Sequence, residues 1–309
     1  MKNQKLLADI AQDYYIEQLS LNQLSRKYHL SRYLLNKHLE DARAQGVVKI
    51  SVSTPIRRNQ HLEARLKEFF DCSIYVIDEE EKRTEDMLHL IQFAASHIQE
   101  AIQTSHVIGT ASGNTLHDVI DYFKPQPLEH LLFTQYMGQD KRYGSSVGSR
   151  HLVEKAAKKF AANYETLSGP LYIADETTRR GMLREFASQP ALQAASQMDL
   201  LFCALGTLKS VNANPLWREH LLTIFPKLRQ DDVAGLVFGR PYNVKGKFLT
   251  VGNDHVFGLP LEQILATPRR IGIVKNKFKK EATLGALRAN IFTDLIISET
   301  LARFILEEL

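Results

Sequence analysis

LSLNQLSRKYHLSRYLLNKHLEDARAQGVVKI, running from Leu19 to Ile50, holds two short amphipathic segments split by a three-residue turn. Ser20 stands where it can cap a helix over about residues 21–28, with Leu21, Leu24 and Tyr28 pointing inward. His29-Leu30-Ser31 makes the turn, and Leu30 plugs the small core. Ser31 then caps a second helix that runs to about Ala44 and is stopped by Gly46. Leu35, Leu39 and Ala42 fall on the core side of that helix, which leaves Arg32, Tyr33, Asn36 and Lys37 facing outward near its start. A helix of this kind fits the major groove, where its first turns reach base edges and phosphates. Arginine and asparagine offer paired hydrogen bonds there, and lysine offers a point charge. Ser31, Arg32, Tyr33, Asn36 and Lys37 are therefore candidate contacts to double-stranded DNA. A helical hairpin used for protein contacts is the alternative.

Outward from this stretch, residues 4–18 form a third amphipathic helix, with Leu7, Ile10, Ala11, Tyr14 and Tyr15 on one face. Downstream, Val47, Val48, Ile50 and Val52 alternate with Lys49 and Ser51, which predicts a strand closing a winged helix-turn-helix over residues 1–55. Residues 1–58 carry ten Lys/Arg against five Asp/Glu, a charge of +5, whereas the rest of the chain balances to −1. A polyanion-binding head on a neutral body has this asymmetry.

Residues 56–309 follow another pattern. Strand-like runs occur at 72–78, 107–111, 130–137, 200–205, 270–274 and 294–298. Helical runs occur near 61–70, 84–103, 114–123, 149–162, 178–197, 279–290 and 299–308. Continuous apolar strands alternating with helices predict a mostly parallel, Rossmann-like α/β domain covered on both faces. Ligands of such sheets sit at the carboxyl ends of strands. The loop Gly109 to Thr115 leaves a strand and opens a helix, so its amides and the side chains of Thr110, Ser112, Asn114 and Thr115, with Gly113, make a candidate anion cradle. Gln135, Gly138 and Gln139 end the next strand, and Gly206-Thr207 repeat the geometry after LLFCAL. Lys279 sits in the cluster Lys275, Lys277, Lys279, Lys280 and could neutralise an anion.

Two distant cysteines, Cys72 and Cys203, supply neither a disulfide framework nor a zinc ribbon and fit a reducing cytosol. The eleven histidines show no metal-binding spacing, so neither metal nor cofactor is expected. The N-terminal residues lack the apolar core of a signal peptide, and no run approaches a membrane span of about 18 apolar residues, so a cytoplasmic location is expected.

Leu24-Ser25, Tyr28, Ser31-Arg32, Leu35-Asn36-Lys37, Leu39, Ala42, Gly46, Val48 and Ile50 stand at spacings that resemble the head of the SorC/DeoR-type sugar-binding transcription regulators. IGTASGNTL (108–116) is similar to that family's G-x-x-x-G-x-T-L loop, and TQYMGQ (134–139) to its Q-L-x-G-G strand end. LSGPLYI (167–173), LGTL (205–208), VAG (233–235) and the stretch 279–302 fall at its later landmarks. Leu236, Asn276 and Ser298 depart from the pattern. The resemblance implies a body related to sugar-phosphate isomerases and CoA transferases that binds a phosphorylated sugar without catalysis. It also implies a homo-oligomer, dimer or tetramer, that controls a carbohydrate operon. The competing reading is an active sugar-phosphate isomerase, and a further one is an interaction module with no small ligand.

Overall fold

The computed structural model describes residues 2–48, 55–79, 83–139, 152–250 and 254–309. The chain divides into two compact units, Met1–Pro55 and Ile56–Leu309.

The first unit holds α1 (Lys2–Tyr15), α2 (Leu21–Tyr28) and α3 (Arg32–Ala44). Leu7, Ile10 and Ala11 of α1 bury against Leu24 of α2 and Leu35, Leu39 and Ala42 of α3. Both caps form as the sequence requires. Ser20 and Gln23 make a reciprocal capping box, and the Ser31 hydroxyl accepts from the Leu34 amide at 3.3 Å. Between the helices His29 adopts a left-handed conformation, φ 53°, and Ser25 Oγ donates to the Leu30 carbonyl at 2.6 Å. Gly46, φ 71°, follows the end of α3 as a left-handed stop. Asp13 ties α1 to α2: Tyr28 donates to its carboxylate at 2.5 Å and Lys27 pairs with it at 2.7 Å. Of the strand expected from Val47 to Val52 to close a wing, Val47 and Val48 form a bend after α3, with the Val48 amide donating to the Ala42 carbonyl at 3.0 Å, and the rest lies outside the described residues.

The second unit is built on a seven-stranded, wholly parallel sheet. Its strands are β1 (Ser73–Ile77), β2 (Val107–Thr110), β3 (Leu132–Gln135), β4 (Asn163–Glu165), β5 (Leu200–Ala204), β8 (Arg269–Val274) and β9 (Asp294–Ser298). Between β5 and β8 the chain makes a separate antiparallel hairpin of β6 (Gly235–Val237) and β7 (Arg240–Tyr242). The sheet order is β1-β9-β8-β5-β2-β3-β4. Alternate residues of the central strands feed two cores, one per face. Leu201, Cys203, Leu295 and Ile297 join one, whereas Leu200, Phe202, Ile271 and Ile296 join the other. Helices α4 (Gln60–Lys67), α5 (Arg83–Ile102) and α6 (Asn114–Asp121) precede those that cover the later strands.

The elements differ from expectation in three ways. β4, β6 and β7 are only three residues long and carry too little pattern to be read as strands. The helix expected over 178–197 is two, Glu176–Arg184 and Gln189–Ser196, because Pro190 can only begin a helix at that point. Short helices Leu208–Asn212, Pro215–Glu219 and Leu221–Ile224 occupy a stretch that showed no clear period.

At the amino ends of the central strands, Asp294 is buried between Arg269 and His97 of α5. Burial pushes its carboxyl up, but hydrogen bonds from His97, Arg269 and Thr293 outweigh that and hold it at about 2, below its ordinary 3.8. A depressed carboxyl contributes stability that is complete above its unfolded value and is lost as pH falls through the folded one. Urea unfolding should therefore lose about 2 kcal/mol between about pH 5 and pH 2 from this group, and Asp294→Asn should remove that part of the slope. An unchanged acid limb in the variant would show that the network does not hold the charge.

Candidate functional site

β2 and β5 lie side by side, yet the chain leaves β2 toward β3 and leaves β5 toward β8. That reversal opens a crevice beyond their carboxyl ends, the ordinary ligand position of an open parallel sheet. A cavity of about 510 Å³ fills it. Its polar wall is the loop Ala111 to Thr115, which runs from β2 into α6. The His117 amide makes the first helical bond, to the Gly113 carbonyl, so the amides of Thr115 and Leu116 before it lie at the open start of the helix. Thr207, Ser210 and Asn214 add polar side chains from the segment after β5.

Lys279 enters from the turn before the helix Lys280–Arg288. Its ammonium donates to the Leu205 carbonyl at 2.5 Å, and no carboxylate pairs with it among the described residues. Burial holds its pKa below the usual lysine value. The neighbouring lysines are spent elsewhere: Lys275 pairs with Asp118 at 3.0 Å and Lys280 with Glu308 at 2.7 Å. Lys279 is the single charged side chain among the described lining residues, so the cavity favours an anion.

The opposite wall is apolar and aromatic. Leu171, Tyr172, Trp217, Leu236, Val237 and Phe238 form it. Tyr172 meets Trp217 edge to face at 5.0 Å, and its hydroxyl donates to the Gly239 carbonyl at 2.7 Å. The hairpin that carries Phe238 and Gly239 turns through two residues with positive φ, 53° and 74°. This suits a two-residue hairpin loop but is unusual for a phenylalanine. Arg240, 1% exposed, anchors the turn through Asp254, at 2.6 and 2.9 Å, and the carbonyls of Phe238 and Leu259, both at 2.9 Å. A mutual backbone pair, Gly206 with Leu236 at 2.8 and 3.0 Å, pins the hairpin to the end of β5.

Of the residues expected at the site, Ser112, Gly113, Asn114, Thr115, Gln139, Gly206, Thr207 and Lys279 line this one cavity. Gly206 lends only its surface, because its amide and carbonyl are both committed to Leu236. Thr110, Gln135 and Gly138 do not line it. Thr110 is fully buried in β2 with its hydroxyl toward the Phe202 carbonyl at 3.5 Å. Gln135 is 3% exposed and donates to the Met137 carbonyl at 2.7 Å. Gly138 packs on Pro170 so closely that a Cβ would lie 2.1 Å from its carbonyl oxygen, a reason for glycine unrelated to ligand. Sequence reasoning missed Tyr136, Trp217 and the aromatic wall. Trp217 is the only tryptophan of the chain, a signal that could have been used.

A second cavity, of about 560 Å³, lies beside Asp231 and Asp232. Its lining mixes both charge signs, including the Lys280–Glu308 pair, and selects neither.

On the first unit, Arg32, Tyr33, Asn36 and Lys37 are all exposed, Tyr33 at 76%. Positions one, four and five apart on a helix form one continuous patch over its first two turns. Ser31 lies at the edge of that patch with its hydroxyl committed to the cap.

Residues 54–307 match the model of the Sugar-bind family, a sugar-binding domain. Over 312 residues the chain is 24% identical to the uncharacterized transcriptional regulator YjhU of Escherichia coli K12, covering 95% of this chain and 92% of the relative. It is 20% identical to the deoxyribonucleoside regulator of Bacillus subtilis, covering 100% and 99%. Among solved structures, the full-length sorbitol operon regulator SorC of Klebsiella pneumoniae matches with a TM-score of 0.66 at 19% identity, over 99% of this chain and 100% of that one. A domain of a sugar-binding regulator from Arthrobacter aurescens matches with a TM-score of 0.68 at 23% identity, over 81% and 98%. With more than half of its length matched by the family model and relatives of this kind along the whole chain, the protein belongs to the sugar-binding domain family of SorC/DeoR-type transcription regulators.

Proposed function

We propose that the chain binds operator DNA through the outward patch of α3 and is controlled by a phosphorylated sugar held in the 510 Å³ cavity. One observation carries the ligand class: a half-buried lysine, the start of α6 and several aromatic side chains line the same cavity. Amides and a cation accept a phosphate, and aromatic faces accept the carbon skeleton of a sugar. The relatives named as sorbitol-operon and deoxyribonucleoside regulators support carbohydrate control. Because a ligand shifts only equilibria between states it binds unequally, the sugar phosphate acts by changing how heads of a homo-oligomer engage paired half-sites.

The composition of the lining favours regulation over isomerisation. Proton abstraction beside a carbonyl calls for a base poised near neutral pH. Among the described lining residues there is no carboxylate or histidine, Cys203 and Tyr136 are pushed up by burial and stay protonated, and the Lys279 ammonium, though its pKa is lowered by burial, is engaged as a donor to the Leu205 carbonyl.

The sole tryptophan, Trp217, lies in the cavity wall and makes the test direct. Titration with sugar phosphates should give a saturable change in its emission and shift operator affinity, with no isomerised product. Turnover of a sugar phosphate, or an emission blind to every one of them, would overturn the reading. Lys279→Ala should weaken a phosphorylated ligand by about tenfold or more, since charge-assisted hydrogen bonds contribute about 1.5–3 kcal/mol, while leaving ligand-free operator binding intact.

A further inference from the structure

Tyr136 follows the last residue of β3, is fully buried, and lines the cavity beside Met137 and Cys203. Its ring is fixed in place. Phe238 meets it edge to face at 5.9 Å, and Gly109 leaves so little room that a Cβ there would lie 3.1 Å from the tyrosine ring. The hydroxyl has no hydrogen-bond partner among the described residues. A buried hydroxyl left unmatched is costly, and it persists where something other than folding uses it. Phe238, which holds the ring, is itself in a left-handed conformation that a bulky side chain rarely adopts, φ 53°. Strain of this kind gathers where a ligand is clamped.

We propose that Tyr136 determines specificity by hydrogen bonding an oxygen of the sugar at the buried end of the cavity, while the phosphate rests on Ser112 to Thr115 and Lys279. The ligand is thereby a phosphorylated sugar with a hydroxyl or carbonyl oxygen on the part of its skeleton that reaches deepest. This rests on the reading of the cavity as a sugar-phosphate site. Burial keeps the phenol protonated, so it remains a donor as well as an acceptor.

The test compares the parent with Tyr136→Phe, which keeps the ring and removes only the oxygen. Trp217 emission is titrated with inorganic phosphate, ribose 5-phosphate, glucose 6-phosphate and the 2-deoxy form of each sugar. In the parent, at least one sugar phosphate should bind more tightly than inorganic phosphate. In the variant that advantage should shrink by about tenfold, the worth of a hydrogen bond whose loss strands a buried partner, while inorganic phosphate changes less than about twofold. The ligand-free variant should melt no lower than the parent, because it loses an unmatched polar atom and keeps the packing. A melting temperature lower by more than about 3 °C would mean that the hydroxyl serves the fold, and it would overturn the proposal. An undiminished sugar advantage in the variant, or no sugar bound better than phosphate, would overturn it while leaving the anion site standing. If neither phosphate nor any sugar phosphate moves Trp217, the cavity reading fails and the role of Tyr136 falls with it.

Discussion

Arg240→Ala is expected to cost the second unit about 2–6 kcal/mol of unfolding free energy, because the two buried carbonyls of Phe238 and Leu259 lose their donor at about 1–3 kcal/mol each, while Asp254, 32% exposed, keeps contact with water. The side chain is 1% exposed and makes four hydrogen bonds in one plane, two to Asp254 and one each to the carbonyls of Phe238 and Leu259. Alanine would leave a cavity, two carbonyls without their donor and a carboxylate without its cation. Arg240→Lys should recover little, because an ammonium cannot reproduce the planar fork that reaches all three partners. Urea unfolding of the whole chain, followed by a probe of the α/β unit, measures the effect. A loss under about 1 kcal/mol would show that Arg240 is dispensable. Since the same guanidinium holds the turn that presents Phe238 and Gly239 to the cavity, a partly folded variant should also lose ligand-induced change at Trp217.

The legible parts of the molecule are those where one local signal suffices. LLFCA in β5 is apolar throughout and DLIIS in β9 carries an unbroken apolar centre, Leu295 to Ile297, as a strand buried on both faces requires. NYE in β4 could not be read that way, because an edge strand buries less and this one leaves Asn163 and Tyr164 exposed. The β6–β7 hairpin was hidden for another reason: its turn places phenylalanine where asparagine or glycine would be the sequence cue.

The site divides along the same line. Ser112 to Thr115 were readable because a strand, a polar loop and a helix start lie within one short stretch. Leu171, Trp217 and Phe238 were not, since each looks like core and only the fold brings them to one wall. Gln135 and Tyr136 are the sharpest case. Side chains alternate along a strand, so Gln135 and Tyr136 differ by a single step of phase, and only Tyr136 lines the cavity.

The joint change of Arg32, Tyr33, Asn36 and Lys37 to alanine is expected to weaken specific operator binding by about 2–6 kcal/mol, on the order of thirty- to twenty-thousandfold, if two of the four read bases. Removal of Lys37, as a phosphate contact, should also flatten the salt dependence of binding by about one counterion per head. The helix itself should survive. Leu35, Leu39 and Ala42 hold its inner face, the Ser31 cap is untouched, and alanine is the best helix former. Far-ultraviolet circular dichroism and the melting of the first unit should therefore match the parent, which separates lost contacts from lost fold. Footprinting at the chain's operator then decides the matter. A folded variant that protects the same bases as the parent would remove α3 from the groove and favour the hairpin as a protein contact. Lost protection, together with an unchanged response of Trp217 to sugar phosphate, would place recognition of DNA on α3 and recognition of ligand in the α/β unit.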